Sequence, residues 1–296
     1  MRMEGVYPSG GGKGNAMREI AVSEITRNIR EMCIEANHFL GRDVKNALDD
    51  GEKKEESPLG KQILGTLEEN LGIAGRDMIP ICQDTGMAVI FLNIGQDVHF
   101  TGGDLYDAVN EGVREGYRDG YLRKSVVGDP IIRMNTRDNT PAVIHCEIVP
   151  GDQVEITVAP KGFGSENTSR IFMLKPADGL DGVRKAILAA VRDAGPNACP
   201  PMIVGVGIGG DFEKCAEMAK HALTRDLDEE PEVGWVRDLK REMLEKINQL
   251  GIGPAGLGGR VTCLGINIET YPTHIAGLPL AVNICCHVNR HTRRTI

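Results

Sequence analysis

No apolar run in this 296-residue chain approaches the roughly 20 residues needed to span a bilayer. The opening stretch, Met1–Glu19, has no apolar h-region, so a secretory signal is excluded and a cytoplasmic protein is expected. Positive charge is not in excess: 34 Lys and Arg stand against 42 Asp and Glu, a formal charge of −8. That removes any general electrostatic reason to bind nucleic acid or an anionic membrane. There is no CxxC pair, no internal repeat and no linker long enough to divide the chain. The 41% hydrophobic and 26% charged fractions are those of a globular protein, and a chain of this length can bury a substantial core.

Residues 1–16 are Gly-rich and aperiodic, which predicts a flexible tail ahead of one large domain, 17–296. A helix is expected from Ser23, its N-cap, with Ile25, Ile29, Met32, Cys33 and Ala36 on one face. Asp49–Ser57 reads as a solvated connection, followed by a second helix to about Leu71. Further helices are expected over Gly103–Gly120, Leu180–Ala194, Asp211–Leu223 and around Val236–Leu250, the last stopped by Gly251. Strand-like runs lie at Met87–Ile94, Pro141–Val149, Gln153–Ala159, Ile203–Ile208, Val261–Ile268 and Leu280–Val288. The tight Pro150-Gly151-Asp152 link predicts that the strands on either side of it pair as an antiparallel hairpin. Helices and strands intermix without a regular βαβ repeat, so the expected fold class is mixed α/β (α+β), with helices packed on a partly antiparallel sheet.

Eight cysteines are many for such a chain. Without a signal, and with a core that needs no staples, reduced thiols are expected. Cys33, Cys146, Cys215 and Cys263 fall inside periodic elements, as core cysteines do. Cys82, Cys199 and the pair Cys285-Cys286 instead sit in loop-like segments or close a strand. Separations of 117 and 87 residues among Cys82, Cys199 and Cys286 match no compact zinc spacing. Three distant thiolates suit a cubane iron–sulfur cluster with one iron left for substrate; the alternative is buried thiols at strand ends.

Arg123, Arg133, Arg137, Arg170, Arg260 and Arg290 lie near turns or strand ends, and converging guanidinium forks would suit a small polyacid. The Gly162–Asn167 turn could offer backbone N–H groups to a ligand. Gly205–Gly210 satisfies GxGxxG between a strand and a helix. The acids about 20 residues on, Asp226–Glu230, follow a helix instead of ending a second strand, so a dinucleotide-binding oxidoreductase is a distant reading. His274 lies in a turn twelve residues before Cys286.

Four motifs together carry a family likeness: Ile81-Cys82-Gln83-Asp84-Thr85-Gly86; Arg133-Met134-Asn135-Thr136 with Asn139-Thr140-Pro141-Ala142-Val143; Lys161–Asn167; and Ala198-Cys199-Pro200-Pro201. From about Glu19 onward the sequence resembles the class I iron–sulfur hydro-lyases, which comprise the oxygen-sensitive fumarate hydratases and the L-tartrate dehydratases. The resemblance implies a [4Fe-4S] cluster held by Cys82, Cys199 and Cys286. Cys286 is preferred to Cys285 because Cys286-His287-x-x-Arg290 resembles the family's closing motif, and neighbours in a strand point to opposite faces. Gln83, Asp84, Arg123 and the backbone of Gly164 are implied as substrate-binding, with Asp84 and His274 paired for proton handling or orientation. Single-chain members continue into a second portion that this sequence lacks, so the likeness is to the alpha subunit of a two-subunit enzyme. A separate beta subunit is implied, in a hetero-oligomer of two alpha and two beta chains. Fumarate hydration is the first expectation, tartrate dehydration the second, and a non-catalytic iron–sulfur regulatory protein a different-class alternative.

Overall fold

The computed structural model describes residues 17–296; the stretch read as a tail, 1–16, lies outside the described residues. The chain begins with strand β1 (Arg18–Ala21) and helices α1 (Val22–His38), α2 (Arg42–Lys54) and α3 (Pro58–Asp77). Strands β2 (Met87–Gly95) and β3 (Val98–Thr101), helix α4 (Leu105–Asp119) and strands β4 (Val143–Val149) and β5 (Val154–Lys161) follow. Next come the single-turn helix α5 (Phe163–Glu166), β6 (Arg170–Leu174), α6 (Gly179–Ala194), β7 (Met202–Gly210), α7 (Phe212–Ala222) and α8 (Gly234–Asn248). Strands β8 (Cys263–Thr273), β9 (Leu278–Cys285) and β10 (Thr292–Thr295) complete it.

The strands make two four-stranded mixed sheets and one parallel pair, β1 with β3. The first sheet runs β10-β5-β2-β4, and the second β6-β9-β7-β8. The mixed α/β class expected from the sequence is therefore observed, on two principal sheets where one was expected. Each sheet has its own core. Ile25, Ile29, Met32 and Cys33 of α1 meet Val109, Val113 and Tyr117 of α4 over Ile90, Leu92, Ile156 and Val158. On the second sheet, Ile187 and Val191 of α6 and Leu239, Met243 and Ile247 of α8 cover Val204, Val206, Ile266 and Ile284. Truncating any of these large aliphatics to alanine is worth about 2–5 kcal/mol.

Helix α7 lies against β7 through Cys215, Met218 and Ala219. A Cβ on Gly205 or Gly207 would run into the carbonyls of Ala219 and Cys215. The GxGxxG run thus serves close packing of a helix on a strand, and the parallel strand beside it, β8, ends at Thr273. After β9 the chain leaves the second sheet, passes through Cys286–His291, and enters the first as β10, antiparallel to β5. This crossing segment stitches the two sheets together.

Several local expectations need correction. Ser23 does not cap α1: the cap position is Ala21, with no side-chain bond, and the helix already starts at Val22. Most of Asp49–Ser57 is helical, because α2 runs to Lys54 with Val44, Leu48 and Gly51 turned inward; Asp50 is exposed on the outer side, whereas Glu55, just past the helix end, is buried and accepts from Arg260 and Val261 N–H. The second expected helix continues to Asp77. The strands flanking Pro150–Asp152 do not pair. Strand β2 lies between them, parallel to β4 and antiparallel to β5. The burial pattern explains this, since β2 is buried on both faces as a central strand must be, whereas β4 is exposed along much of its length as an edge.

Candidate active site

The Cys82–Gly86 loop, which enters β2, has no secondary structure of its own, and hydrogen bonds from several surrounding segments fix it. Ile81 N–H donates to Asn37 O at 2.9 Å, and Asn70 Nδ2 donates to Ile81 O at 2.9 Å. The Tyr117 hydroxyl, fully buried on α4, donates toward Thr85 O (2.8 Å) and Gly86 O (2.9 Å). Burial pushes that hydroxyl well above the usual tyrosine range, which keeps it a donor. Asn139 donates to Gly86 O at 3.2 Å and accepts from Ser125 N–H at 2.7 Å, while Thr85 Oγ1 donates to Arg123 O at 3.1 Å. The Arg123 segment is thereby tied beside the loop, with the Arg123 residue itself exposed.

Within this loop Asp84 is half-buried and Gln83 exposed. Asp84 Oδ1 accepts from Gly86 N–H at 3.0 Å, and Oδ2 accepts from Phe163 N–H at 2.9 Å, at the start of α5. Gly162 suits this approach, because a Cβ there would stand 3.1 Å from Asp84 Oδ2, closer than ordinary contact. Gly164 is exposed in the same turn, with open space around it.

Beneath the turn is a buried charged hub. Lys161 Nζ donates to Gly162 O (3.1 Å) and Ser165 Oγ (3.0 Å), and stands 3.3 Å from Glu166. Lys220 pairs with the same carboxylate, and Asn283 Nδ2 donates to it at 2.8 Å. Burial pushes Glu166 up, but the Lys161 and Lys220 ammoniums outweigh it and hold the group below the usual range. Burial lowers Lys220.

Cys82 and Cys286, both half-buried, pack on one small cluster of Ala74, Ile81 and Val288. Cys199 is exposed in a left-handed conformation (φ 52°), and its carbonyl lies 3.2 Å from His287 Nδ1. Burial lowers His287, favouring the neutral ring, which donates Nδ1–H to that carbonyl. Three sequence-distant cysteine segments therefore meet where β9 ends. Cys285 instead sits buried with Val44, Ile203 and Leu223. The Cys285 thiol donates to Val288 O at 3.9 Å. Among the described residues no three His, Cys, Asp or Glu side chains group as the ligands of one metal ion. Free soft thiols spread over three loops fit a multi-iron cluster better than a single hard cation.

The fumarate hydratase (Fumerase) family model matches residues 26–295. The chain is 38% identical, over 279 residues, to a protein of Methanocaldococcus jannaschii provisionally named L(+)-tartrate dehydratase subunit alpha, covering 92% of this chain and 98% of that one. It is 30% identical over 277 residues to the L(+)-tartrate dehydratase subunit alpha of Escherichia coli UTI89, and 29% identical to that of strain K12; each match covers 92% of this chain and 91% of the relative. The chain belongs to the class I fumarate hydratase family.

In this family member, the residues expected at the site do not all meet. The segments of Cys82, Gln83, Asp84, Arg123, Gly164, Cys199 and Cys286 are linked by the contacts above. His274 is not. It lies in the exposed turn joining β8 to β9, where its Nδ1 accepts from Ala276 N–H at 3.2 Å. Strand β9 separates it from Cys285; its eight residues make seven rises of about 3.3 Å, or roughly 23 Å. A pair between His274 and Asp84 of the same chain does not form, because the eight-residue strand β9 carries the two ends apart. Tyr117, Asn139 and the Lys161–Glu166–Lys220 hub went unassigned in the sequence. Tyr117 had one signal, a hydroxyl on an otherwise apolar helix face, which must find a partner when buried.

Proposed function

We propose that this chain is the alpha subunit of a hydro-lyase that interconverts fumarate and L-malate, using a [4Fe-4S] cluster held by Cys82, Cys199 and Cys286. The convergence of these three cysteine segments beside the Asp84 turn carries the reading. When bound, such a cluster supplies a Lewis-acid iron open to substrate hydroxyl and carboxylate oxygens. The chain's own residues do the rest. Arg123 and the Gly164 N–H hold substrate carboxylates, and Gln83, exposed beside the first thiolate, adds a hydrogen-bonding side chain. Asp84, bonded to Phe163 N–H and Gly86 N–H, fixes the Gly162–Gly164 turn relative to the Cys82 loop. Lys161 holds the same turn from below. None of these groups is placed as the base acting at carbon, which we assign to a separate beta subunit in an assembly of two alpha and two beta chains. The relatives' names, each a subunit alpha, support a partner chain.

A second reading, L-tartrate to oxaloacetate, is favoured by those same names. Both substrates are small dicarboxylates and ask for the same groups. The test is anaerobic: the chain is reconstituted with iron and sulfide, its beta subunit is added, and fumarate formation from malate is followed beside oxaloacetate formation from tartrate. Malate turnover that needs both chains supports the proposal. Tartrate turnover alone selects the second reading, and a bound cluster with neither activity selects a non-catalytic iron–sulfur protein.

A further inference from the structure

The segment that crosses from β9 to β10 carries Arg290, only 4% exposed. Its Nε donates to Pro160 O at 3.3 Å, and its Nη2 to the backbone carbonyl of Asp84. The third nitrogen, Nη1, is buried and has no hydrogen-bond partner. Among the described residues no carboxylate forms an ion pair with Arg290; even beside Asp84 it takes the main-chain oxygen and leaves the carboxylate to Gly86 and Phe163. A guanidinium removed from water without a counter-charge, and with an unmade N–H bond, is costly to a fold. Such a group persists where something anionic completes it.

The neighbourhood says what that is. Arg290 follows Cys286 by four residues and bonds the loop that carries Cys82, so it stands between the segments of two of the three thiols. Three thiolates on an iron–sulfur core make a body with net negative charge and sulfur acceptors on its surface, and hydrogen bonds to those sulfurs tune such clusters.

Resting on the cluster reading above, we propose that Arg290 is a positioning residue for the cluster: two of its nitrogens lock the Cys82–Gly86 loop against the end of β5, and Nη1 donates to a sulfur of the bound cluster. Lysine cannot reproduce this, since a single ammonium lacks the planar fork that spans two carbonyls and a third acceptor.

The experiment compares wild type, Arg290→Lys and Arg290→Met, each reconstituted anaerobically with iron and sulfide as the full chain with its beta subunit. Circular dichroism and thermal melting report the fold. Iron and sulfide content, the rate of bleaching of the cluster absorbance in air, and the electron paramagnetic resonance of the reduced cluster report the site. We expect Arg290→Lys to fold as wild type does, yet to hold iron about 10- to 100-fold more weakly, the usual scale for losing a group that supports a metal ligand, and so to bleach faster, with altered resonance. Arg290→Met should be worse still. Wild-type bleaching and resonance in folded Arg290→Lys, even with a lower melting temperature, would reduce Arg290 to a structural strap and overturn the proposal. A wild-type chain that takes up no iron and sulfide overturns instead the cluster reading beneath it.

Discussion

The two ends of β9 are built on different terms. At one end, Cys285 is 4% exposed, and the following residues engage Cys199 O, Pro160 O and Asp84 O through His287 and Arg290. At the other, Ile275 is 90% exposed and the His274 ring is held only by one N–H from its own turn. Twelve residues link His274 to Cys286, yet one end is a crossing point of the fold and the other a projecting hairpin. Proximity in sequence within a strand guarantees separation in space, whereas Cys82 and Cys286, far apart in sequence, share one apolar cluster, and the Cys199 carbonyl is tied beside them by His287. Function is expected to follow the second kind of proximity.

Substitutions can break or sharpen this contrast. The largest effect is expected from Asp84→Ala, which frees the N–H groups of Gly86 and Phe163 and releases the turn carrying Gly164. A displacement of about 1 Å in substrate-positioning groups costs about 10²-fold, so kcat/KM of the assembled enzyme should fall by about that factor with the cluster still bound. Unchanged kcat/KM would show that the turn needs no such tether.

A middle effect is expected at the hub beneath the turn. Glu166 is held below its usual range by Lys161 and Lys220, so its ionised form contributes stability that is present at neutral pH and lost as the pH falls through its folded value. Denaturant melts across the acid range should show wild-type stability falling, and Glu166→Gln should flatten that fall. Parallel curves would place the acid sensitivity elsewhere. The smallest effect belongs to the hairpin. His274→Ala removes only an exposed side chain and should change stability by no more than about 0.5 kcal/mol, with iron uptake by the alpha chain unaltered. A His274→Ala chain that fails to take up iron would overturn the separation drawn between the two ends of β9.

Periodicity made most of the fold legible. The apolar face of α1, the helix through Leu105, Val109, Val113 and Tyr117, and the central strands were all readable, because each helix buries one repeating face and the central strands are near-continuous apolar runs. Strands β1, β3, β6 and β10 were not, being short and largely unburied. The pairing of β4 and β5 was misread because turn chemistry speaks only of neighbours in sequence, and the strand inserted between them, β2, comes from more than fifty residues upstream. At the site, the cysteines stood out because thiols in loops are unusual. Tyr117 and Asn139 were given no role, and Arg290 was noted without its partners, since their importance lies in which carbonyls they reach, and only the folded chain decides that.

The most direct test of the central claim is an iron and sulfide count on the anaerobically reconstituted chain, with its absorbance spectrum, for wild type, Cys82→Ala, Cys199→Ala, Cys286→Ala and Cys285→Ala. The account predicts a cluster in wild type and in Cys285→Ala, and none retained in the other three. A cluster that survives Cys286→Ala but is lost in Cys285→Ala would contradict it.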